Sequence, residues 1–451
     1  MSIVVVPVAI LVLIILLKQI PVIGGKVQPA LLIGAALCLL MGGVFNPMMW
    51  VEALITGADK IAWVICLTLV GSIYAESQKR IGTMETVLNA CRARFGHSPK
   101  GLVCVIMFTL CLSGSLLGES VASAVVIGAL IIGNLDELGM TPEQTTATIV
   151  MGCALGSIMP PISQASTMAA GLVDANSDAV LNWTYVTIGI IFILCCIYVC
   201  TLFIKVKTIP EDLIPTKKAS QILKENWKAM VPLCFLALTV IFRSGFGLDI
   251  LVLINPLIAP LQGIRVVSGL VYNITCLLYM TIIISLFYKP VRQQFGDICV
   301  QGFKNVVPTI SVQACAAFLI GSFYIGGQID ATSAFLATLT PSTLIIGGLA
   351  AMCLLGMLTG SQTTTQTIVF TMLGPALVAT GISPVSAAIA GGHWAMAGQG
   401  MPPADVVTFA VAGLVNGITG KKVDPVKSML YACFMCVCMI IAGLIFVCII
   451  R

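Results

Sequence analysis

The tripeptide Met-Pro-Pro stands at 159–161 and again at 401–403. Both copies lie in apolar surroundings with polar residues close behind, in ALGSIMPPISQAS (154–166) and QGMPPAD (399–405). Paired prolines remove two backbone donors and break a helix. What such a break costs depends on the solvent, and here the solvent is hydrocarbon. The 451 residues are 59% hydrophobic and only 9% charged, where a soluble globular protein carries roughly 25% charged residues; mean hydropathy is +1.07. The runs 3–17, 183–204 and 428–450 approach or exceed the ~20 residues of a spanning helix. The chain therefore reads as an all-α polytopic membrane protein. At membrane depth a broken backbone is tolerated only where it is buried in protein or lines a cavity. Two such breaks point to an internal site.

The first apolar run has no charged segment before it and no small-residue cleavage site after it, so it reads as a retained helix. The longest polar stretch, 205–228, spans 24 residues, too few for a soluble domain. Most of the 18 cysteines sit inside apolar runs, where they act as small hydrophobes; disulfides and zinc are not expected. Lys and Arg concentrate in cytoplasmic loops. One arrangement puts 19 of the 23 inside, in clusters around 18–26, 79–100, 205–228, 289–304 and 421–427, with Lys60, Arg243, Arg265 and Arg451 outside. The N-terminus is then outside. The segment between Arg243 and Arg265 must enter and leave on one face, or lie along it.

An offset of 242 residues lays 99–174 on 341–416 with 18 identities in 76 positions and no gap. Seven of the identities are glycines or paired prolines: Gly114, Gly118, Gly139, Gly156, Gly171 and Pro160 with Pro161, which fall on Pro402 and Pro403. Two copies of one backbone design follow. The charge map starts copy one inside, at RARFGHSPK (92–100), and ends it outside; copy two starts outside and ends at the lysines of 416–427. Inverted repeats with interrupted helices mark secondary transporters, whose site lies near the midplane between the repeats.

Each copy reads as two limbs of about 12–15 residues meeting at a Gly/Ser tip, a re-entrant helical hairpin, and then a helix that climbs to Gly-x-x-Met-Pro-Pro and breaks. The tip glycines Gly118 and Gly360 call for open backbone geometry. Unpaired carbonyls and hydroxyls at a break suit a hard cation, so two pseudo-symmetric cation sites are expected, each between a tip and its facing break. Half-helix N-termini favour an anionic substrate group. Substrate contacts are expected from Ser163, Gln164 and Thr408, from Asp405 beside the second break, and from Ser123, Gln362 and Thr365 of the hairpins. Glu119, an acid at a hairpin tip, reads as a cation ligand or proton carrier or as a tip open to water, since intramembrane charges are costly and usually functional. His393 beside Trp394 reads as a packed, satisfied histidine. Neither repeat core offers an Arg or Lys to fix a carboxylate, so helix ends and amides must do it.

At these residues the chain resembles the large membrane subunit of the tripartite ATP-independent periplasmic (TRAP) transporters, the DctM-like family. GESVASAVVIG (118–128) is similar to that family's first hairpin tip, LGSIMPPIS (155–163) to its first break, and GISP (381–384) with GMPPAD (400–405) to the second half. The chain departs from it in Glu119, where a small hydroxyl residue is usual, in Ser123, where the family has an aspartate, and around 243–275. The resemblance implies an elevator-type transporter of the ion transporter superfamily. It implies cation ligands at Gly118, Glu119, Ser120, Gly156 and Met159, and at Gly360, Ser361, Thr363, Gly398 and Met401. It further implies Na⁺ as coupling ion with no other cofactor, and import of organic acids such as C4-dicarboxylates. The implied setting is the bacterial inner membrane, beside a small membrane subunit and a soluble substrate-binding protein on separate chains. The division expected is 1–98 scaffold, 99–174 first transport unit, 175–340 scaffold with the linker 205–228, 341–416 second transport unit, and 417–451 a last scaffold helix.

Two rivals remain open on the residues. A stand-alone transporter of the same superfamily, coupled to H⁺, shares the fold and differs in partners. An intramembrane enzyme would need Ser115 or Ser157 set against His393, for the chain has no His-Glu-x-x-His and its spans hold no convincing Asp pair. No Walker-type loop appears, which speaks against ATP drive, and nothing suggests nucleic acid.

Overall fold

A computed structural model describes residues 2–450 apart from 18, 20, 119, 207–216, 247–249, 337 and 404. Among the described residues the chain is helical throughout, without a strand. Before the first repeat come α1 (Ser2–Leu16), α2 (Val27–Met41), α3 (Pro47–Ile81) and α4 (Thr83–Phe95). The first repeat is the hairpin α5 (Pro99–Leu117) and α6 (Ser120–Glu137), then α7 (Pro142–Ile158), the Met-Pro-Pro break and α8 (Gln164–Leu172). The middle section is α9 (Ser177–Leu202), α10 (Ala219–Glu225), α11 (Trp227–Phe246), α12 (Asn255–Gln262), α13 (Asn273–Ser285), α14 (Lys289–Gln293), α15 (Phe295–Ile325) and α16 (Gln328–Leu336). The second repeat is α17 (Pro341–Thr359), α18 (Gln362–Thr365), a π-helical turn (Gln366–Phe370) and α19 (Thr371–Ala379), then α20 (Pro384–Gly400), the second break and α21 (Val406–Thr419). The helix α22 (Pro425–Ile445) follows.

Local chemistry sets where many of these helices begin. Asn46, Ser98, Thr141, Thr340, Ser383 and Asp424 each accept a backbone N–H of the first turn with the side chain, and each precedes a proline. A proline at the first helical position loses no bond, because that N–H has no partner inside the helix. Among the described residues five helices are long and apolar enough to cross a membrane, in α3, α5, α9, α17 and α22, and α15, bent by 53° between Val307 and Ile310, makes a sixth when its two parts are taken as one span. Val186, Ile190, Ile193 and Ile197 of α9 face outward, as lipid contact requires. The first apolar run forms a helix of 15 residues, short of a full span.

The hairpin limbs differ from the expectation. They are 19 and 18 residues long in copy one, and the first limb of copy two is also 19, not 12–15. The Ser-Gly-Ser at 113–115 continues the helix because Gly114 lies in a helix crossing, so the turn waits until Gly118.

The longest helices, α3 and α15, form a spine. A Cβ on Gly57 would lie 1.6 Å from the Ala317 carbonyl, and one on Gly321 1.7 Å from that of Ala53. Small residues that let backbones meet are the usual basis of helix association in lipid. Gly321→Val is expected to cost about 3 kcal/mol, the upper end of the overpacking range, read as a lower melting midpoint in detergent. An unchanged midpoint would mean that the spine does not close there.

The segment after α11 lies along this spine. Arg265 pairs with Glu52 at 2.8 Å, the Val266 N–H donates to Asp59, and Gly269 sits against Ala62 and Trp63. Lys60 of the same helix pairs with Asp174, at the exit of copy one. The expected inside residues also meet one another: Lys421 pairs with Asp136, Gly139 neighbours Lys205, and Arg80 donates to Gln294. These contacts agree with the charge map, although Arg243's side chain and linker residues 207–216 lie outside what is described.

The two repeats interlock through their breaks. Val407, Val411 and Val415 of α21 pack in the core built by α5, α6 and α7, whereas Met168, Ala169 and Leu172 of α8 pack in the core built by α17, α19 and α20. Each break thus hands the last helix of one copy to the other.

Candidate functional site

The unit of construction is a hairpin tip seated on a broken helix, and it recurs at the 242-residue offset. Both tips turn on a glycine in the left-handed region, Gly118 at φ 64° and Gly360 at φ 60°, a conformation an L side chain adopts only at a cost. The first limb then crosses the broken helix glycine on glycine. A Cβ on Gly156 would stand 2.3 Å from the Cys111 carbonyl and 2.8 Å from Gly114 Cα; one on Gly356 would stand 2.6 Å from Gly398 Cα. The returning limb is tied to the same helix in each copy. Ser120 Oγ donates to Ser157 Oγ at 2.8 Å, and at the matching positions the Gln362 N–H donates to Gln399 Oε1 at 3.0 Å.

The breaks themselves follow from the prolines. Pro160 and Pro161 remove the N–H groups that would serve the carbonyls of Gly156 and Ser157, and Pro402 and Pro403 do the same to Gly398 and Gln399. The neighbours compensate in part. Met159 N–H turns back to the Gly156 carbonyl at 3.0 Å, and Met401 N–H to that of Gly398 at 3.3 Å. In copy one the hairpin adds two bonds at the break: Ser115 Oγ donates to the Pro160 carbonyl at 2.5 Å and Ile162 N–H to the Ser115 carbonyl at 3.2 Å. Both Pro-Pro bonds are cis.

After each break the next helix starts on a capping side chain. Ser163 accepts from Ser166 N–H. Its counterpart Asp405, 1% exposed, accepts from the N–H groups of Val407 and Thr408 and from Thr408 Oγ1 at 2.5 Å. The two caps differ in charge. The positive end of α21 already holds a carboxylate, whereas that of α8 is capped by a neutral hydroxyl. Asp405→Ala is expected to cost about 1–2 kcal/mol as a lost cap, read in the melting midpoint, and Asp405→Ser, which copies Ser163, to recover most of it. Equal losses for both would assign Asp405 a role beyond capping.

The expected cation residues Gly118, Ser120, Gly156 and Met159 therefore meet at one tip and break, and Gly398 and Met401 lie at the other beside Gly360, Ser361 and Thr363. Glu119 lies outside the described residues. Ser361 Oγ is occupied, accepting from Thr364 N–H and Thr364 Oγ1. Of the expected substrate residues, Ser123 and Thr365 donate to carbonyls of their own hairpins, those of Leu110 and Ser361. Thr408 is held by Asp405. Gln362 binds Gln399 through its backbone N–H, and Gln164 faces another element. Gln164 Nε2 donates to Thr68 of the α3 spine at 2.9 Å, and Gln313 of α15 donates to the same hydroxyl at 3.1 Å. Gln366 Nε2 donates to the Ala165 carbonyl at 2.9 Å. Thr68, Gln313 and Gln366 escaped the sequence reading; the signal was there, as amides and hydroxyls isolated in apolar helices.

His393 is satisfied as expected. Its Nδ1 lies 2.8 Å from the Ile389 carbonyl and its Nε2 2.9 Å from Thr187 Oγ1. Neither Ser115 nor Ser157 faces it, because both are bonded at the first break.

Helices long enough to span, two of them the first limbs of the hairpins, together with two interrupted helices define a polytopic membrane protein of the kind used by secondary transporters. The chain belongs to the DctM component of the tripartite ATP-independent periplasmic transporters, a family that matches residues 10–448. Among solved structures it is similar in fold to the YdaH transporter of Alcanivorax borkumensis, whose crystal structure is described as revealing an unusual topology. That similarity has a TM-score of 0.62 at 16% identity, over 93% of this chain and 96% of the other. A search of curated protein sequences finds no match.

Proposed function

We propose that this chain is the permease of a Na⁺-coupled importer of small organic acids, with the two tip-and-break units moving as one body against the α3–α15 spine in an elevator cycle. The observation that carries this reading is the recurrence of tip, glycine crossing and break at one fixed offset. The carbonyls of Ser157 and Gln399, whose i+4 N–H groups the prolines remove, and those of Gly156 and Gly398, each left with one turned-back N–H, are suited to a hard monovalent cation. The interlocked cores support movement of the two units together. The opposite charge bias at the ends of the copies supports an inverted pair, with its site near the midplane. The N-terminus of α8, which carries no acid of its own, suits a substrate carboxylate. The family description, a tripartite transporter, supports a small membrane subunit and a soluble binding protein as partners, in a bacterial inner membrane.

The test is uptake of a labelled C4-dicarboxylate into proteoliposomes holding the full chain, with and without candidate partner proteins. Accumulation is expected under an inward Na⁺ gradient and not with choline in its place, and Ser361→Ala should raise the Na⁺ concentration for half-maximal uptake. Uptake indifferent to Na⁺ but driven by a pH gradient would replace this reading with H⁺ coupling.

A further inference from the structure

Where the two repeats meet the spine, the structure leaves acceptors without donors. Gln366 and Gln313 are fully buried, Gln362 is 9% exposed, and the Oε1 atom of each has no hydrogen-bond partner. The orientation of the Gln366 amide is fixed, since its Nε2 donates to the Ala165 carbonyl, which can only accept. Its oxygen is therefore the free end. Gln362 stands one helical turn earlier, on the same side of the hairpin limb. Gln313 reaches the same region from α15 through Thr68, which also receives Gln164, the first residue of α8. A buried acceptor left unpaired is costly, so three around one junction call for a partner that brings donors. The π-helical turn adds a second sign. It begins at Gln366, whereas the corresponding stretch of copy one is regular α-helix, and π turns gather at functional sites.

We infer that Gln313, Gln362 and Gln366 form a subsite for hydrogen-bond donors on the transported solute, so that the preferred cargo is a hydroxylated organic acid and not a plain dicarboxylate. The inference rests on the proposed transport of organic acids and deepens it. The carboxylate sits at the N-terminus of α8, and hydroxyls beside it donate to the glutamine oxygens. Thr68 and Gln313 belong to the spine and Gln366 to the transport unit, so the subsite is complete only when the two are in register.

Succinate, malate and tartrate share one skeleton and carry zero, one and two hydroxyls, which makes them the probe. Their binding to the purified full chain in saturating Na⁺ is measured as a shift of the melting midpoint with acid concentration. Tartrate is expected to bind about tenfold or more tighter than succinate, with malate between, since a buried donor–acceptor bond is worth roughly 1 kcal/mol or more. In Gln366→Leu and in Gln313→Leu that preference should collapse toward unity. The ratio between acids is read within one sample, so partial unfolding of a variant leaves it interpretable. Equal binding of the three acids, no binding of any, or a preference that survives both substitutions would each overturn the inference. So would stabilisation by Na⁺ alone that Gln366→Leu removes, because the oxygens would then ligate a cation. Failure of the transport reading shows separately, as uptake without any dependence on an ion gradient, whichever acid is preferred.

Discussion

Gly156→Val is expected to reduce uptake to the level of empty liposomes, and Gly398→Val to do the same from the other copy. At Gly156 a side chain would meet the Cys111 carbonyl at 2.3 Å and at Gly398 the Met352 carbonyl at 2.9 Å. Both obstacles are backbone in a helix and cannot rotate away. The hairpin must lift off the broken helix, which separates Ser120 from Ser157 or Gln362 from Gln399 and opens the tip. Overpacking of this kind costs about 1–3 kcal/mol, and the melting midpoint should fall with the activity. Gly413→Ala supplies the control. It lies in α21 with nothing within 4 Å of its would-be Cβ, and alanine gains helix propensity there, so uptake and midpoint should hold or improve. If Gly156→Val transported at the parent rate, the tip-on-break unit would not be the working part.

The second large effect is expected from the double change Pro402→Ala with Pro403→Ala. It returns two N–H groups to the chain, able to serve the carbonyls of Gly398 and Gln399. A proline inside a helix costs about 3 kcal/mol relative to alanine, so α20 gains a strong local reason to continue. Continuation ties up the exposed carbonyls at the break on which ion binding is proposed to depend. It also pulls α21 from the core where Val407, Val411 and Val415 are buried. Uptake should be lost while the protein still melts cooperatively. Parent-level uptake would show instead that these prolines only bend packed helices.

Much of the candidate site was legible because it is written in residues that act on their own backbone. Gly118 and Gly360 reach the left-handed turn, Pro160 and Pro402 break helices, and Thr141 and Ser383 cap them, each through atoms within a few residues. The offset of 242 was visible for the same reason. Limb length was less legible. Ser-Gly-Ser at 113–115 weakens a helix in isolation, and only the crossing at Gly156 keeps it helical as far as Gly118. The amide junction was illegible as a unit, since Thr68, Gln164, Gln313 and Gln366 come from four helices spread over nearly 300 residues.

By itself, then, the sequence determined the solvent, the helical content, the duplication and the place of both Met-Pro-Pro breaks, because hydropathy, glycine and proline act locally. The tertiary structure decided which copy receives the helix after each break, that α3 and α15 close on Gly57 and Gly321, and that three glutamine oxygens end without donors at one junction. Packing and hydrogen bonding between distant segments depend on which surfaces meet. No stretch of chain carries that information until the others are in place.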